Sequence, residues 1–346
     1  MKPTEEVRQY TDAGVDLLGA EAAKERIGEL AASTRTSLSV GRIGAFGGMV
    51  RVPEGMQKPV LVLSTDGVGT KVLVAVQAGR LDTVGEDLVN HSVNDILVHG
   101  ATPIAFMDYV AGAELTAPQL AKIVEGVARG CRAHDMSLAG GETAQMPGLY
   151  AAGTFDLAGT IVGVVEEGRA IHGDAIRPGD VLLGYRSTGL HTNGYTLARR
   201  IVFERMNLDV DDALPGTAGT VADVLLAVHR SYWLSVRSIF DQVHGLAHIT
   251  GGGIAGNLVR VLPAECEAVV DPTSWELPPL FATLQQAGQV STDEMREVFN
   301  LGVGLIAVLP PEAVPAAQAA ARADGVDTWV MGDVRRGTRA VRFARP

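Results

Sequence analysis

The chain has 346 residues, room for roughly two domains of about 150 each and for a buried core without disulfide or metal staples. Its 29 basic and 40 acidic side chains leave a formal charge of −11, which argues against nucleic acid as a partner. With 47% hydrophobic and 20% charged residues, it is composed like a globular chain rather than a disordered one. Glycine is abundant at 41 residues while aromatics reach only 5%, so the backbone makes many tight turns or close approaches to something. Met1–Asp16 is polar and lacks the apolar region of a signal peptide, and no stretch nears the ~18 apolar residues of a membrane span. Cys131 and Cys266 lie far apart without a CxxC, which predicts two free thiols and no zinc site. A soluble cytoplasmic protein without a membrane partner is expected.

In chain order, apolar residues at helical spacing predict a helix over 16–31. A glycine-rich loop follows at Gly41–Gly48, with Gly44, Gly47 and Gly48 in it, and then a strand at Met49–Val52. The apolar run Val60–Leu63 has strand length and opens into Ser64-Thr65-Asp66-Gly67-Val68-Gly69-Thr70-Lys71. A helix is expected over 81–99, a strand over Pro103–Val110, and a helix over 117–134 opened by Pro118. Leu138–Thr143 reads as a second glycine-acid turn, with Gly140, Gly141 and Glu142, before a strand at Phe155–Val165. The texture changes at Glu166–Gly179, which ends in the turn signal Arg-Pro-Gly-Asp. A domain boundary there separates 1–168 from 169–346. The second half restarts with a strand at Val181–Tyr185, a glycine loop through Gly194 and a helix from Tyr195. Further helices are expected at 220–241 and 312–324, and strands at 267–271 and 303–309. Alternating strands and helices joined by glycine turns predict two α/β (α+β) domains.

No common nucleotide motif is present. The P-loop pattern is absent, because Gly67–Lys71 has the wrong spacing, and no dinucleotide-binding glycine fingerprint stands out. What remains is a set of acids. Asp66 follows a strand directly. On the 81–99 helix Glu86, Asn90 and Asn94 share one row, and Asp87, His91 and Asp95 the next. Carboxylates with an amide oxygen suit Mg²⁺ beside phosphate; a solvated acidic helix face is the competing reading. The glycine loops, including Thr250-Gly251-Gly252-Gly253, either approach an anion with their N–H groups or are ordinary turns. In His191-Thr192-Asn193-Gly194, Thr192 or Asn193 suits a helix cap, and His191 suits a proton donor, a phosphate contact or a structural hydrogen-bonder. Lys71 is either a phosphate cation or a surface lysine. His91, His99, His134, His172, His229, His244 and His248 show no ligand-like spacing and are read as structural or exposed.

Seven stretches in order carry a resemblance: Tyr10–Asp16, Thr65–Lys71, Val93–Ile96, Gly140–Gly148, His191–Gly194, His248–Gly253 and Phe299–Gly304. On these the chain resembles the aminoimidazole ribonucleotide synthetases, or phosphoribosylformylglycinamidine cyclo-ligases, nearly end to end. It departs from their pattern at Val259, where a proline is expected nearby, and at Arg42. The resemblance implies a mixed-sheet N-terminal domain that pairs in a homodimer to build a shared β-barrel, and a C-terminal α/β domain. It implies ATP-dependent ring closure of formylglycinamidine ribonucleotide through an iminophosphate, with ADP and phosphate released, in purine biosynthesis. Under it, Asp66, Glu86, Asn90 and Asp95 carry Mg²⁺. Gly44, Gly47, Gly48, Gly67, Gly69, Thr70, Asn94, Gly140, Gly141 and Glu142 join Asp66 around ATP. Lys71, Asp95 and His191 are the catalytic group, and Thr192, Asn193 and Thr250–Gly253 hold the substrate or its phosphate. The rivals are another ATP-using enzyme of the same superfamily and a non-catalytic nucleotide-binding relative.

Overall fold

Alternating apolar positions and helical periodicity build two units, and the computed structural model describes residues 17–42 and 44–344 of them. The motif Tyr10–Asp16 lies outside the described residues. The first unit comprises Leu63–Ser92, Pro103–Gly163 and the described part of Met1–Gly55; the second comprises Met56–Val62, Val93–Thr102 and the described residues from Val164 onward.

The N-terminal half runs α1 (Leu17–Ala32), β1 (Ser39–Val40), β2 (Met49–Val50), β3 (Pro59–Gly67), α2 (Lys71–Gln77), α3 (Asp82–Leu97), β4 (Thr102–Gly112), α4 (Ala117–Ala133), β5 (Ser137–Gln145) and β6 (Phe155–Glu166). Its main sheet has the order β3-β6-β4-β5, with β4 and β5 parallel. Helix α4 starts where the sequence supplies a capping box. Thr116 accepts from the Gln119 amide, Gln119 reaches back to the Thr116 amide, and Pro118 sits in the first turn. Its apolar stripe, Leu120, Ile123, Val124, Val127 and Cys131, is buried. Against α3 it is stripped to backbone: a Cβ at Gly126 would overlap the Asp82 carbonyl, and one at Gly85 the Ile123 carbonyl. Arg129 of α4 clamps the crossing, donating to Glu86 (2.7 Å) and Asp82 (2.9 Å) of α3.

The pair Asp108–Gly141 shows the same economy between strands. Gly141 lies opposite Asp108 in the β4–β5 register, and a Cβ there would overlap the Asp108 carboxylate. Burial in this slot pushes the Asp108 carboxyl up to about 7, against the opposing pull of its own backbone N–H.

The C-terminal half runs β7 (Val181–Arg186), α5 (Tyr195–Arg199), α6 (Val221–Leu225), α7 (Trp233–Val236), β8 (Gly245–His248), α8 (Gly253–Leu258), β9 (Cys266–Val270), α9 (Pro279–Gly288), α10 (Thr292–Val298), β10 (Val303–Leu309), α11 (Val314–Ala323), β11 (Thr328–Arg336) and β12 (Ala340–Phe343). Six strands form one sheet in the order β12-β9-β11-β7-β10-β8, antiparallel except for β12 beside β9. Every residue of β10 is buried, as its unbroken apolar run requires. Leu182, Ile254, Leu258, Ile306, Val308 and Met331 centre the core beneath this sheet.

The helix expected over 220–241 is broken. It folds as α6, an irregular stretch over 226–232, α7 and a 3₁₀ turn at Arg237–Gln242. A side chain distant in sequence causes the break. Asn94 donates through Nδ2 to the Arg230 carbonyl (2.8 Å) and accepts at Oδ1 from the Tyr232 N–H (3.0 Å), taking groups that a continuing helix would pair internally.

Two outcomes follow for stability. Gly126→Ala forces α3 and α4 apart and lowers stability by about 1–3 kcal/mol or more, read as a fall in the urea midpoint. For Asp108 the folded form binds its proton more tightly than the unfolded chain does, with about 7 against 3.8. Its contribution is therefore complete below 3.8, is lost as pH rises through 7, and is constant above that. Asp108→Asn removes this slope, measured as denaturation midpoints on either side of 7 in both proteins.

Candidate active site

In the first unit the best-presented acid is Asp66. Strand β3 runs beyond its apolar stretch to Gly67, so Asp66 is held by strand geometry rather than by a turn. Its Oδ1 accepts from the Gly67 N–H (2.7 Å), its Oδ2 lies 2.8 Å from His91 Nε2, and the side chain stays 47% exposed. A fixed, half-exposed carboxylate at a strand end is suited to a hard cation or to phosphate-bound metal.

Lys71 corrects an expectation. Its ammonium is sealed in the interior, 2.9 Å and 2.8 Å from the two Asp87 oxygens. Burial pushes the Lys71 pKa down and Asp87 pulls it back up. A cation enclosed in this way is not presented to a triphosphate. Glu86, beside Asp87 on α3, is gripped by Arg129, and Asn90 is buried. The four residues expected to share a metal ion therefore have different neighbours: Asp66 meets His91, Glu86 meets Arg129, and Asp95 meets His248.

The glycine loops also divide. Gly44, Gly47 and Gly48 are exposed ahead of β2. Gly67 ends β3, Gly69 follows with φ +68°, and Thr70 stands at the N-cap of α2 without capping it through its side chain. Gly140, Gly141 and Glu142 do not form a turn: they lie within β5, where the missing Cβ of Gly141 makes room for Asp108. Glu142 is exposed and accepts from the Thr143 N–H.

In the second unit a largely buried polar chain assembles residues from four parts of the sequence. His248, at the end of β8, has Nδ1 2.8 Å from Asp95 Oδ1 and Nε2 3.2 Å from His229 Nε2. His229 Nδ1 lies 3.2 Å from Thr192 Oγ1, and Asn94 Nδ2 lies 3.1 Å from His229 Nε2. The His191 ring stacks on His229, with centroids 4.0 Å apart and planes at 20°. His191 has φ +61°, an uncommon conformation for a residue with a Cβ, and its Nε2 accepts from the Thr188 N–H (3.2 Å). Nδ1 is therefore the protonated nitrogen of a neutral His191. His191, His229 and His248 are all buried.

Next to this chain the two C-terminal loops are tied together. Asn193 Oδ1 accepts from the Gly251 N–H (3.0 Å), and Asn257 reaches back to the carbonyls of Thr250, Gly251 and Gly253 while its Oδ1 accepts from the Thr250 hydroxyl. Gly253 has a packing duty of its own, since a Cβ there would overlap the Arg296 carbonyl. A cavity of about 730 Å³ is lined by Arg186, Ser187, Thr188 and Thr217 among others, Thr188 being the residue whose N–H meets His191.

Sequence reasoning missed three histidines. His91 had a usable signal, lying four residues before Asp95 on one helix row. His248 adjoins the Thr250–Gly253 loop, while His229 lies in the irregular stretch and has no periodic or spacing cue.

Among the described residues, no helix is long and apolar enough to cross a membrane. The chain matches the family models described as AIR synthase related protein, N-terminal domain, over residues 47–165, and AIR synthase related protein, C-terminal domain, over residues 177–344. It is 44% identical over 328 residues to the phosphoribosylformylglycinamidine cyclo-ligase of Desulfatibacillum aliphaticivorans, covering 94% of each chain. Among solved structures, it is similar to the thiamine-monophosphate kinase of Stenotrophomonas maltophilia K279a, with a TM-score of 0.68 at 18% identity, covering 93% of this chain and 95% of that one. It is also similar to a hydrogenase maturation protein HypE in complex with ATP, with a TM-score of 0.58 at 20% identity, covering 89% of this chain and 84% of the other. Matched by both models across most of its length, the chain belongs to the AIR synthase related protein family.

Proposed function

We propose that the protein is an ATP-dependent cyclo-ligase that closes formylglycinamidine ribonucleotide to aminoimidazole ribonucleotide. The observation that carries this reading is 44% identity, over 94% of both chains, to a protein named for that reaction. The bond to be made explains why ATP is needed. The formyl oxygen is a poor leaving group, so it first takes the γ-phosphoryl group of ATP and ADP departs. The amidine nitrogen then attacks the formyl carbon, the C–O bond breaks, phosphate leaves, and loss of a proton completes the imidazole ring.

Phosphoryl transfer of this kind depends on positioning and charge neutralisation. Mg²⁺, when bound, supplies positive charge against the phosphate oxygens. Asp66 fits that ion, with hard oxygen donors half exposed and held by His91 and the Gly67 N–H. Gly67, Gly69 and Thr70 follow it as the backbone nearest the nucleotide. Asp95 is assigned to His248 rather than to the metal, and Lys71 and Glu86 to folding. His191 is the residue assigned to a proton of the substrate, with Thr192, Asn193 and the Thr250–Gly253 loop beside it. Arg186, lining the cavity with Ser187 and Thr188, offers a cation to the ribose phosphate, while the two hydroxyls donate to groups within the chain.

A homodimer is part of the proposal. Leu61 and Leu63 of β3 are 49% and 63% exposed, and Met107 of β4 is 37% exposed, more apolar sheet surface than an isolated sheet leaves to water. A second copy covering this face would complete a barrel. The cytoplasm, where substrate and ATP occur together, is the proposed location.

The deciding assay is ADP formation by purified protein with Mg²⁺-ATP, with and without formylglycinamidine ribonucleotide. Substrate-dependent ADP supports the reaction; ATP binding without turnover supports a non-catalytic relative instead. Asp66→Asn should abolish ADP release without a change in thermal midpoint, and near-normal turnover would remove Asp66 from the metal role. His191→Ala should lose at least about a hundredfold in kcat, within the range for a positioned acid or base. Unchanged kinetics would exclude that assignment.

A further inference from the structure

The buried chain around His229 contains a hydrogen-bond puzzle whose solution fixes where the protons sit. Asn94 cannot be turned over. Its Oδ1 must face the Tyr232 N–H (3.0 Å) and its Nδ2 must face the Arg230 carbonyl (2.8 Å). The second hydrogen of Nδ2 is then directed at His229 Nε2, 3.1 Å away, so that nitrogen carries a lone pair. His229 must hold its hydrogen on Nδ1 and donate it to Thr192 Oγ1 (3.2 Å). The same lone pair faces His248 Nε2 at 3.2 Å, which makes His248 the donor of that contact. With Nε2 of His248 protonated and Nδ1 against the Asp95 carboxylate (2.8 Å), Asp95 and His248 together hold a second proton between them. The pair is neutral overall, which suits its burial.

Among the titratable groups, His191 stacks on His229, His248 meets its Nε2, and Asp95 lies behind His248. The Tyr232 hydroxyl is committed to the Arg186 carbonyl, and the Arg230 guanidinium to the Gly325 carbonyl. The nitrogens of His191, His229 and His248 lie close enough together to suggest a transition-metal site. Hydrogen placement argues against one: the single His229 lone pair is shared between the Asn94 and His248 hydrogens, and His191 Nε2 receives the Thr188 N–H.

We propose that His229 is a positioning residue for the cyclisation: it orients the Thr192 hydroxyl through Nδ1, anchors His248 through Nε2, and provides the flat surface on which His191 stacks. The three contacts set the ring's place, its rotation and its tautomer at once. His229 is fully buried and acts through its neighbours, whereas His191 and Thr192 are the groups assigned to the substrate. This rests on the cyclo-ligase reading above.

The test uses the full chain with Phe or Gln at position 229. His229→Phe keeps a ring against His191 but removes both nitrogens; His229→Gln keeps an acceptor oxygen for His248. Nitrogen-15 correlation spectra of the unsubstituted protein, recorded without substrate, should show His229 protonated at Nδ1 only and His248 protonated at Nε2. His229→Phe should keep its thermal midpoint within a few degrees. It should lose at least about tenfold in kcat while the KM for ATP changes less than about twofold, and His229→Gln should recover at least about threefold over Phe. A His229 hydrogen on Nε2, wild-type kcat in the Phe variant, or stoichiometric Zn²⁺ binding lost on His229→Phe would overturn the proposal. If the unsubstituted protein forms no ADP with substrate while the nitrogen pattern is as stated, the cyclo-ligase reading fails and this role with it. If the protein is active and the pattern is wrong, His229 alone is misassigned.

Discussion

Two hydrogen bonds from one amide shape the second unit. Asn94 holds the Arg230 carbonyl and the Tyr232 N–H, and in doing so it stops the helix that begins at Val221. The interruption lets the chain between α6 and α7 present His229 inward, with its backbone still satisfied. Buried backbone groups left without partners would each cost about 1–3 kcal/mol, so the irregular stretch is tolerable only with this amide in place. The polar chain from Asp95 to Thr192 depends on it, and so does the surface on which His191 stacks.

In the first unit the corresponding constraint is close approach. Helices α3 and α4 meet at glycines, and Arg129 ties Asp82 and Glu86 across that contact. This places α3 firmly, and α3 carries His91, which orients Asp66 at the end of β3. The polar residues of α3 thus divide along its length. Glu86 is turned to holding the helix pair and Asp87 to neutralising Lys71, while His91 and Asp95 face the residues assigned to chemistry. A helix rich in acids is read poorly as one set, because even residues of one row meet different neighbours.

Much of this was legible in the sequence, and the exceptions have physical causes. The apolar runs that became β4, β6, β7 and β10 were visible, as was α4 with its Thr116–Gln119 cap, because local periodicity decides them. Asp66 and the His191–Gly194 loop stood out by their place after a strand and before a helix. The break near His229 was not visible, since it comes from a residue more than a hundred positions away. Gly140-Gly141 reads as a turn yet lies within β5, where Gly141 makes room for Asp108. A glycine that yields space to the side chain on the next strand looks, in one dimension, like a glycine that yields space to a ligand. Lys71 misled because its partner Asp87 lies 16 residues on, across a turn and into the next helix.

The enclosure of Lys71 has a practical side. An amine with no exposed surface, hydrogen-bonded to one oxygen of a buried carboxylate and ion-paired with the other, does not meet reagents dissolved in water. Acylating agents, aldehydes and lysine-modifying enzymes act on the exposed ammonium groups of the folded chain and pass this one by. Its reactivity would appear only as the chain opens, so labelling of Lys71 amounts to a chemical clock for unfolding of the helix start that it anchors.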